Sequence, residues 1–442
     1  MSGRPPRRWG RQVIVDVTPL RESVSFRWLY LGTLAGFVGR QVTVVAVPFQ
    51  VFLLTGSSLA VGLLGVAQLV PLLLVALVAG AVIDAFDRRK LVAISQILLA
   101  ITALGLAYNA ARPHPLIWPI YVLSGLNAAI STLDSPARMA MIPALVRREV
   151  FPAAMALQQT MVNVGHAVIP AVVGLLLARV SITAAYLAEA GSFLVAAVLV
   201  RRLPPMHPEG GGRAAGLGSI MEGLRYLREQ RLIRANFLID INAMVFGMPR
   251  ALFPAIGTSV FGGDASTVGL LYTAPGVGAF LAAVTSGWVG NIKRKGRAII
   301  YAVIVWGVAI AIFGLAPSLP LALVALAVAG AADVVSAVFR ATILQLTVPD
   351  ALRGRLSAIH NAVVSGGPRL GDAEAGAVAA LTSLRFSVVS GGVACVAGAL
   401  AMIRWMPELW RHGEATWGGG STGSIGDLSP GQTPGWPPSN DP

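Results

Sequence analysis

Several long apolar runs in this 442-residue chain are interrupted near their middles by side chains that carry charge. In the first run, Gly36, Arg40, Thr43 and Gln50 recur at helical spacing on one face. In the fourth, Asn127, Ser131, Asp134 and Arg138 share a face. Asp240, Asn242 and Arg250 fall on the seventh run, and Asp333, Ser336 and Arg340 form a stripe on the tenth. The eleventh is the most polar. Asn361, Ser365, Arg369, Asp372 and Gly376 lie on one face, with Glu374 about a third of a turn away. Two kinds of chemistry fit such groups. A guanidinium away from water attracts carboxylates and other anions, and a desolvated carboxyl can bind and release a proton near neutrality. Both are costly in an apolar medium unless the groups pair or face water. Arg369 and Asp372, three residues apart, can pair within one helix. Glu374 is then the group expected to carry an exchangeable proton, with Asp372, Asp333 and Asp240 as the other candidates. Arg40 and Arg369 are candidates for attracting an anion, and Asn127 and Asp134 complete the expected pathway. Asp134 and Arg138 also have a structural reading, in which they pair with each other or with the charged segment near residue 90. For Arg138 that reading is the stronger. His166 reads as hydrogen-bonded packing. Glu189 is an acid in an apolar run, with no evident partner in the sequence.

The elements that position these groups are membrane spans. The chain is 55% hydrophobic and 12% charged, with a mean hydropathy of +0.72, too poor in charge for a soluble domain of this length. Twelve charge-poor runs are long enough to cross a bilayer as helices: 28–54, 58–83, 91–111, 116–140, 151–177, 181–200, 232–256, 266–290, 298–316, 318–346, 355–382 and 384–405. The net charge of +14 is not spread as in a nucleic-acid-binding protein. Arg4 to Arg11, Arg88 to Lys90, Arg147–Arg148, Arg201–Arg202, Lys293 to Arg297 and Arg353–Arg355 fall at every second connection, and the alternate connections hold almost no charge. This pattern places both termini in the cytoplasm and leaves room for contact with anionic lipid. The domains expected are a cytoplasmic segment 1–25, a six-helix bundle 26–202, a cytoplasmic linker 203–230, a second six-helix bundle 231–406 and a disordered cytoplasmic tail 407–442. Thr18-Pro19 reads as the start of a short helix, with Thr18 as its cap. In the linker, Ser219 and Glu222 read as a capping box. Leu217, Ile220, Met221, Leu224 and Leu227 read as the apolar stripe of a helix lying on the membrane surface. A lone Cys395 and scattered histidines give neither a disulfide nor a metal site. No signal sequence for cleavage is evident.

The connection between the second and third runs, Gly80 to Lys90, is a tight charged knot. Gly80 is expected to let two helix ends approach, and Asp84, Asp87, Arg88 and Arg89 carry its charge. Gly, three apolar residues, Asp, and then a cation cluster resembles the conserved loop of the major facilitator superfamily, although Ala85 stands where that loop usually has Arg. The second half echoes the first. A shift of 202 residues places Arg138 on Arg340, Ser131 on Asp333, Asp134 on Ser336, Gln158 on His360 and Gly174 on Gly376. Gly287 to Arg297 falls where the knot fell, with Asn291 in the place of Asp84. Asp350 to Ser357, Gly367-Pro368-Arg369-Leu370-Gly371-Asp372 through Gly376, and Asp134-Ser-Pro-Ala-Arg138 are similar to one branch of that superfamily, which holds siderophore exporters of the enterobactin type and related actinobacterial efflux proteins. The resemblance spans residues 18–406. It implies an all-α integral membrane fold of twelve transmembrane helices in two pseudo-symmetric six-helix bundles, in the plasma membrane. It implies a secondary active transporter working by alternating access: a proton-coupled, monomeric exporter of a small molecule such as a siderophore, without cofactor or metal. In that reading Asp84 holds the knot against the facing half and gates the cycle. Multidrug or macrolide efflux shares the same loops, and a non-transporting sensor or scaffold on this fold is the rival from another class. No phosphate-binding Gly-x-x-x-x-Gly-Lys-Ser/Thr is present, and no nucleophile or metal cluster suggests an enzyme.

Overall fold

A computed structural model describes residues 16–206, 217–287 and 292–412, and among these every regular element is helical. After a short α1 (Thr18–Glu22), the first half comprises α2 (Val24–Thr55), α3 (Ser58–Ala85), α4 (Arg88–Ala110), α5 (Ile117–Leu145), α6 (Phe151–Arg179) and α7 (Ile182–Arg201). Next come α8 (Leu217–Glu229) and then the second half: α9 (Arg231–Phe246), α10 (Phe253–Ala255), α11 (Ala265–Val284), α12 (Lys295–Leu315), α13 (Leu319–Thr347), α14 (Asp350–Leu381) and α15 (Leu384–Trp405). A last short helix, α16, covers Pro407–Arg411. Nine of the described helices are long and apolar enough to span a membrane. The other three spans, α5, α14 and the α9–α10 pair, are those that carry much of the buried charge.

The turns follow from local chemistry. Ser57, Ser181 and Ser383 each cap a helix by accepting the N–H three residues on, and Asp264 caps α11 through the Ser266 N–H. Gly56 ends α2 at φ 62°, a left-handed turn that glycine adopts without strain.

Four expectations need correction. The seventh span is not one helix over 232–256. It stops at Gly247, because Pro249 lacks an N–H and disfavours helix at the residue before it, and it resumes through a 3₁₀ turn at Arg250–Leu252, α10 and a π turn at Ile256–Val260. Ser219 lies two residues inside α8 and cannot be its cap. On α8, Gly223 is buried and Tyr226 and Leu227 pack on the bundle, but Met221 and Leu224 are exposed. Thr18 is the first residue of α1, not its cap, and its N–H is taken by Asp16. The segment after 406 begins with α16, whose Leu409 is fully buried. Asn291 and residues from 413 onward lie outside the described residues.

The halves meet along two seams, α3 on α14 and α6 on α11. Both are backbone-close. A Cβ added at Gly269 would lie 2.7 Å from the Gly174 Cα, and one at Gly376 would lie 2.9 Å from the Gly62 Cα. Gly62 and Gly269 sit near the starts of α3 and α11, and Gly174 and Gly376 near the ends of α6 and α14. Both seams therefore close the end of the bundle that carries Thr55. Along its whole length α3 exposes apolar side chains, from Leu59 and Leu63 to Leu77 and Val78. Gly269→Val should wedge the α6–α11 seam open. In a Cys395→Ala background, Ser131→Cys should then react several-fold faster with a membrane-impermeant maleimide applied from the Thr55 side. Unchanged reactivity would mean that this seam does not close the cavity.

Candidate functional site

Each half contains a buried ion cluster. In the first, Asp134 on α5 is wholly buried. It receives Arg138 Nε at 2.9 Å, Arg40 Nη1 at 3.2 Å and Gln96 Nε2 at 2.9 Å. Arg138 also reaches the Thr33 hydroxyl at 3.4 Å. Gly36 makes this possible, since a Cβ there would stand 2.8 Å from the Gln96 amide oxygen. In the second, Arg340 on α13 holds Asp240 on α9 at 2.9 Å, lies 3.8 Å from Asp333, and donates to Ser336 at 2.7 Å. His360 Nδ1 is 4.0 Å from Asp240. The two expected stripes thus become two inter-helix clusters in corresponding places. The first has two cations and one carboxylate, the second one cation and two carboxylates.

Between the halves lies a cavity of about 220 Å³ lined by Arg40, Asn127, Arg250, Arg369 and Asp372 among others. Arg40 also lines a second cavity, of about 330 Å³, that runs toward Met139 and Met155 near the Arg88 end. The expected Arg369–Asp372 pair does not form. Arg369 donates to the Ser365 carbonyl of its own helix, and Asp372 accepts the Ala251 N–H at 2.9 Å. The broken seventh span explains this: its restart leaves N–H groups without helical acceptors, and the Asp372 carboxyl caps one. Arg250, just after the break, faces the cavity, and its carbonyl accepts the Tyr272 hydroxyl at 3.1 Å. In the sequence Arg250 falls on a polar span, with no direct sign that it reaches the site. The adjacent Gly247 and Pro249 were the signal for the break that turns it inward.

Glu374 is half-buried and does not line the cavity, and among the described residues it has no hydrogen-bond or ion-pair partner. Glu189 is fully buried on α7 and accepts a hydrogen bond from Thr43, a cavity-lining residue. His166 packs edge-on against Phe37, but among the described residues its ring makes none of the expected hydrogen bonds.

The charged knot acts within the first half. Asp87 caps α4 through the Arg89 N–H at 2.9 Å and accepts the Met206 N–H at 3.2 Å. Burial pushes its carboxyl up, but the N–H groups of Met206, Arg89 and Lys90 and the Arg89 charge outweigh that and hold it below the ordinary Asp value. Arg88 donates to the Ala140 carbonyl at 3.2 Å and Arg89 to the Leu203 carbonyl at 3.0 Å. Asp84 and Gly80 are exposed, and neither makes the expected close approach. Among the described residues Asp84 has no hydrogen-bond or ion-pair partner.

Two pseudo-symmetric helical halves around a polar midplane cavity are the architecture of a major facilitator transporter. The chain belongs to that superfamily's family of transmembrane secretion effectors, whose model matches residues 14–414. It is similar to the enterobactin exporter EntS of Escherichia coli, at 30% identity over 403 residues, covering 90% of this chain and 95% of the relative. The Citrobacter koseri EntS is also 30% identical, over 396 residues, covering 88% and 94%. Among solved structures, a POT family transporter superposes with a TM-score of 0.70 at 10% identity, covering 87% of this chain and 96% of that one. A D-xylose–proton symporter superposes at 0.66 and 16%, covering 86% and 98%. These last two likenesses establish the fold.

Removing the carboxylate between Arg40 and Arg138 leaves buried cations without a counter-charge. Asp134→Asn is therefore expected to cost about 3–5 kcal/mol of stability, read as a lowered Tm of the detergent-purified protein. Adding Arg138→Gln should restore part of the loss. A Tm equal to wild type for the single variant would show that Asp134 does not hold the cluster.

Proposed function

We propose that the protein is a proton-driven exporter of a small anionic molecule of the siderophore class. It would work by alternating access from the conformation seen here, closed at the Thr55 end. The observation that carries this is the charge of the central cavity. Three arginines, Arg40, Arg250 and Arg369, line it with a single carboxylate, Asp372, which is already engaged by a backbone N–H. Such a cavity favours an anion with several acceptor oxygens, because guanidinium groups bind these in pairs. The enterobactin exporters that the chain resembles fit a substrate of that kind.

Proton drive is supported by the second-half cluster. Two carboxylates on one guanidinium leave one negative charge in excess, and the simplest neutral state puts a proton on Asp240 or Asp333, with His360 beside them. Glu374, which the sequence favoured as proton carrier, stands away from the cavity and from both clusters, so we assign it no part.

In cells loaded with an iron-chelating catecholate, deletion of the gene should raise its retention, and a protonophore should abolish efflux by the wild type. Arg250→Gln should weaken efflux at least tenfold at low substrate. Efflux that persists with a protonophore, with sodium replaced by choline, would reject ion-driven antiport. Equal retention in deleted and wild-type cells would reject this class of substrate.

We further propose that the chain lies in the plasma membrane with the Arg88 end and both termini in the cytoplasm, as the distribution of cations indicates. A reporter fused after Arg411 should be active only in a cytoplasmic form. Activity outside would reverse the topology and make the closed end the cytoplasmic one.

A further inference from the structure

We propose that Glu189 is a proton-binding site that exchanges with the central cavity through the Thr43 hydroxyl. Gly39 on α2 lies so close to α7 that an added Cβ would collide with Ser192 Oγ. One turn further along α2 and one turn back along α7, this approach seats Thr43 on Glu189, and the Thr43 hydroxyl donates to Oε1. The other carboxyl oxygen, Oε2, is buried with no hydrogen-bond partner. Thr43 itself lines the cavity. The carboxyl is thus sealed from water on every side but one, and on that side stands a group that can both donate and accept a hydrogen bond.

The surroundings say which form is present. On α2 the nearest cation is Arg40, one turn from Thr43, and it is engaged by Asp134 at 3.2 Å. α4 packs on α7 with Leu99, Ala100 and Ala103, and carries no ionisable side chain between Leu91 and Ala107. On α7 itself, the Tyr186 hydroxyl donates to Gln50 at 2.8 Å, away from the carboxyl. α6, which packs on α2 and α7, brings His166, and its ring is taken up by Phe37. No cation among the described residues pairs with Glu189, and one hydroxyl cannot replace the hydration of a carboxylate. The group is held as the neutral acid. Exchange passes one proton from the carboxyl to cavity water by way of the hydroxyl, and no other bond changes. A shift of 202 residues places Glu189 on Gly391, so the second half has no counterpart at that position. The assignment rests on these surroundings and does not depend on what is exported.

Infrared spectra of the purified full-length protein in lipid test it. The wild type at neutral pH should show a protonated-carboxyl C=O band that is missing in Glu189→Gln. On transfer to D₂O that band should shift several-fold more slowly in Thr43→Val than in the wild type, and Thr43→Ser should restore the rate. The threonine variants keep Glu189, so the exchange test stands even if Glu189→Gln folds poorly. An unchanged spectrum in Glu189→Gln would show the group ionised, and wild-type exchange in Thr43→Val would remove the path; either overturns the proposal. A failure of proton-driven export would appear in the efflux assay and leave this band as it is.

Discussion

The constraint on which the rest depends is that an ionised side chain cannot remain alone in an apolar medium. Asp134 meets it for the first half. One carboxylate buried on α5 draws Arg40 from α2, Gln96 from α4 and Arg138 from its own helix. Three helices are thereby locked in register by groups that would each be unfavourable alone. Arg340 does the same in the second half, joining α9 and α13 through Asp240, with Asp333 on the far side. Breaking such a cluster costs more than its net contribution, because the partner left behind has no water to turn to. Each half is thereby cross-braced from within, as the proposed alternating-access cycle would require.

Between the rigid bodies the packing is of another kind. The seams rest on Gly62 against Gly376 and Gly174 against Gly269, with buried apolar side chains such as Val173 and Val268 beside them. Gly174 and Gly376 are repeat mates, so the two seams are one contact made twice with the halves exchanged. Close backbone contact without ion pairs can separate without stranding a charge, while the clusters inside each half stay closed.

Much of this was legible in the sequence. The polar stripes on the fourth and tenth spans, the repeat and the spans themselves follow from periodicity, which a helix preserves directly. The pairing was not. Spacing allowed Arg369 to meet Asp372, but a backbone N–H at Ala251, freed by the break after Gly247, competes for the same carboxyl. That break was hidden because residues on both sides are equally apolar, and only Pro249 and Gly247 marked it. Thr43 and Glu189 stand 146 residues apart, and nothing in their local sequence joins them. The knot was legible as chemistry and not as a contact. Asp87 accepts the Arg89 and Met206 N–H groups and its arginines donate to carbonyls, all within the half that holds them, while Asp84 is exposed.

Arg40 is where the two kinds of structure meet. Its side chain is 23% exposed against 4% for Arg138, although both bind the same Asp134 oxygen. Arg138 is buried and donates to Asp134 and Thr33, whereas Arg40 has one ion pair and an open face on two cavities. Asp134 would therefore keep Arg138 and Gln96 if Arg40 turned toward the proposed anion in the cavity. The surplus cation of the first half is the one that is free to turn. The second half has its surplus in carboxylate at the Arg340 cluster, yet it also sends Arg250 and Arg369 to the cavity, so both walls carry positive charge.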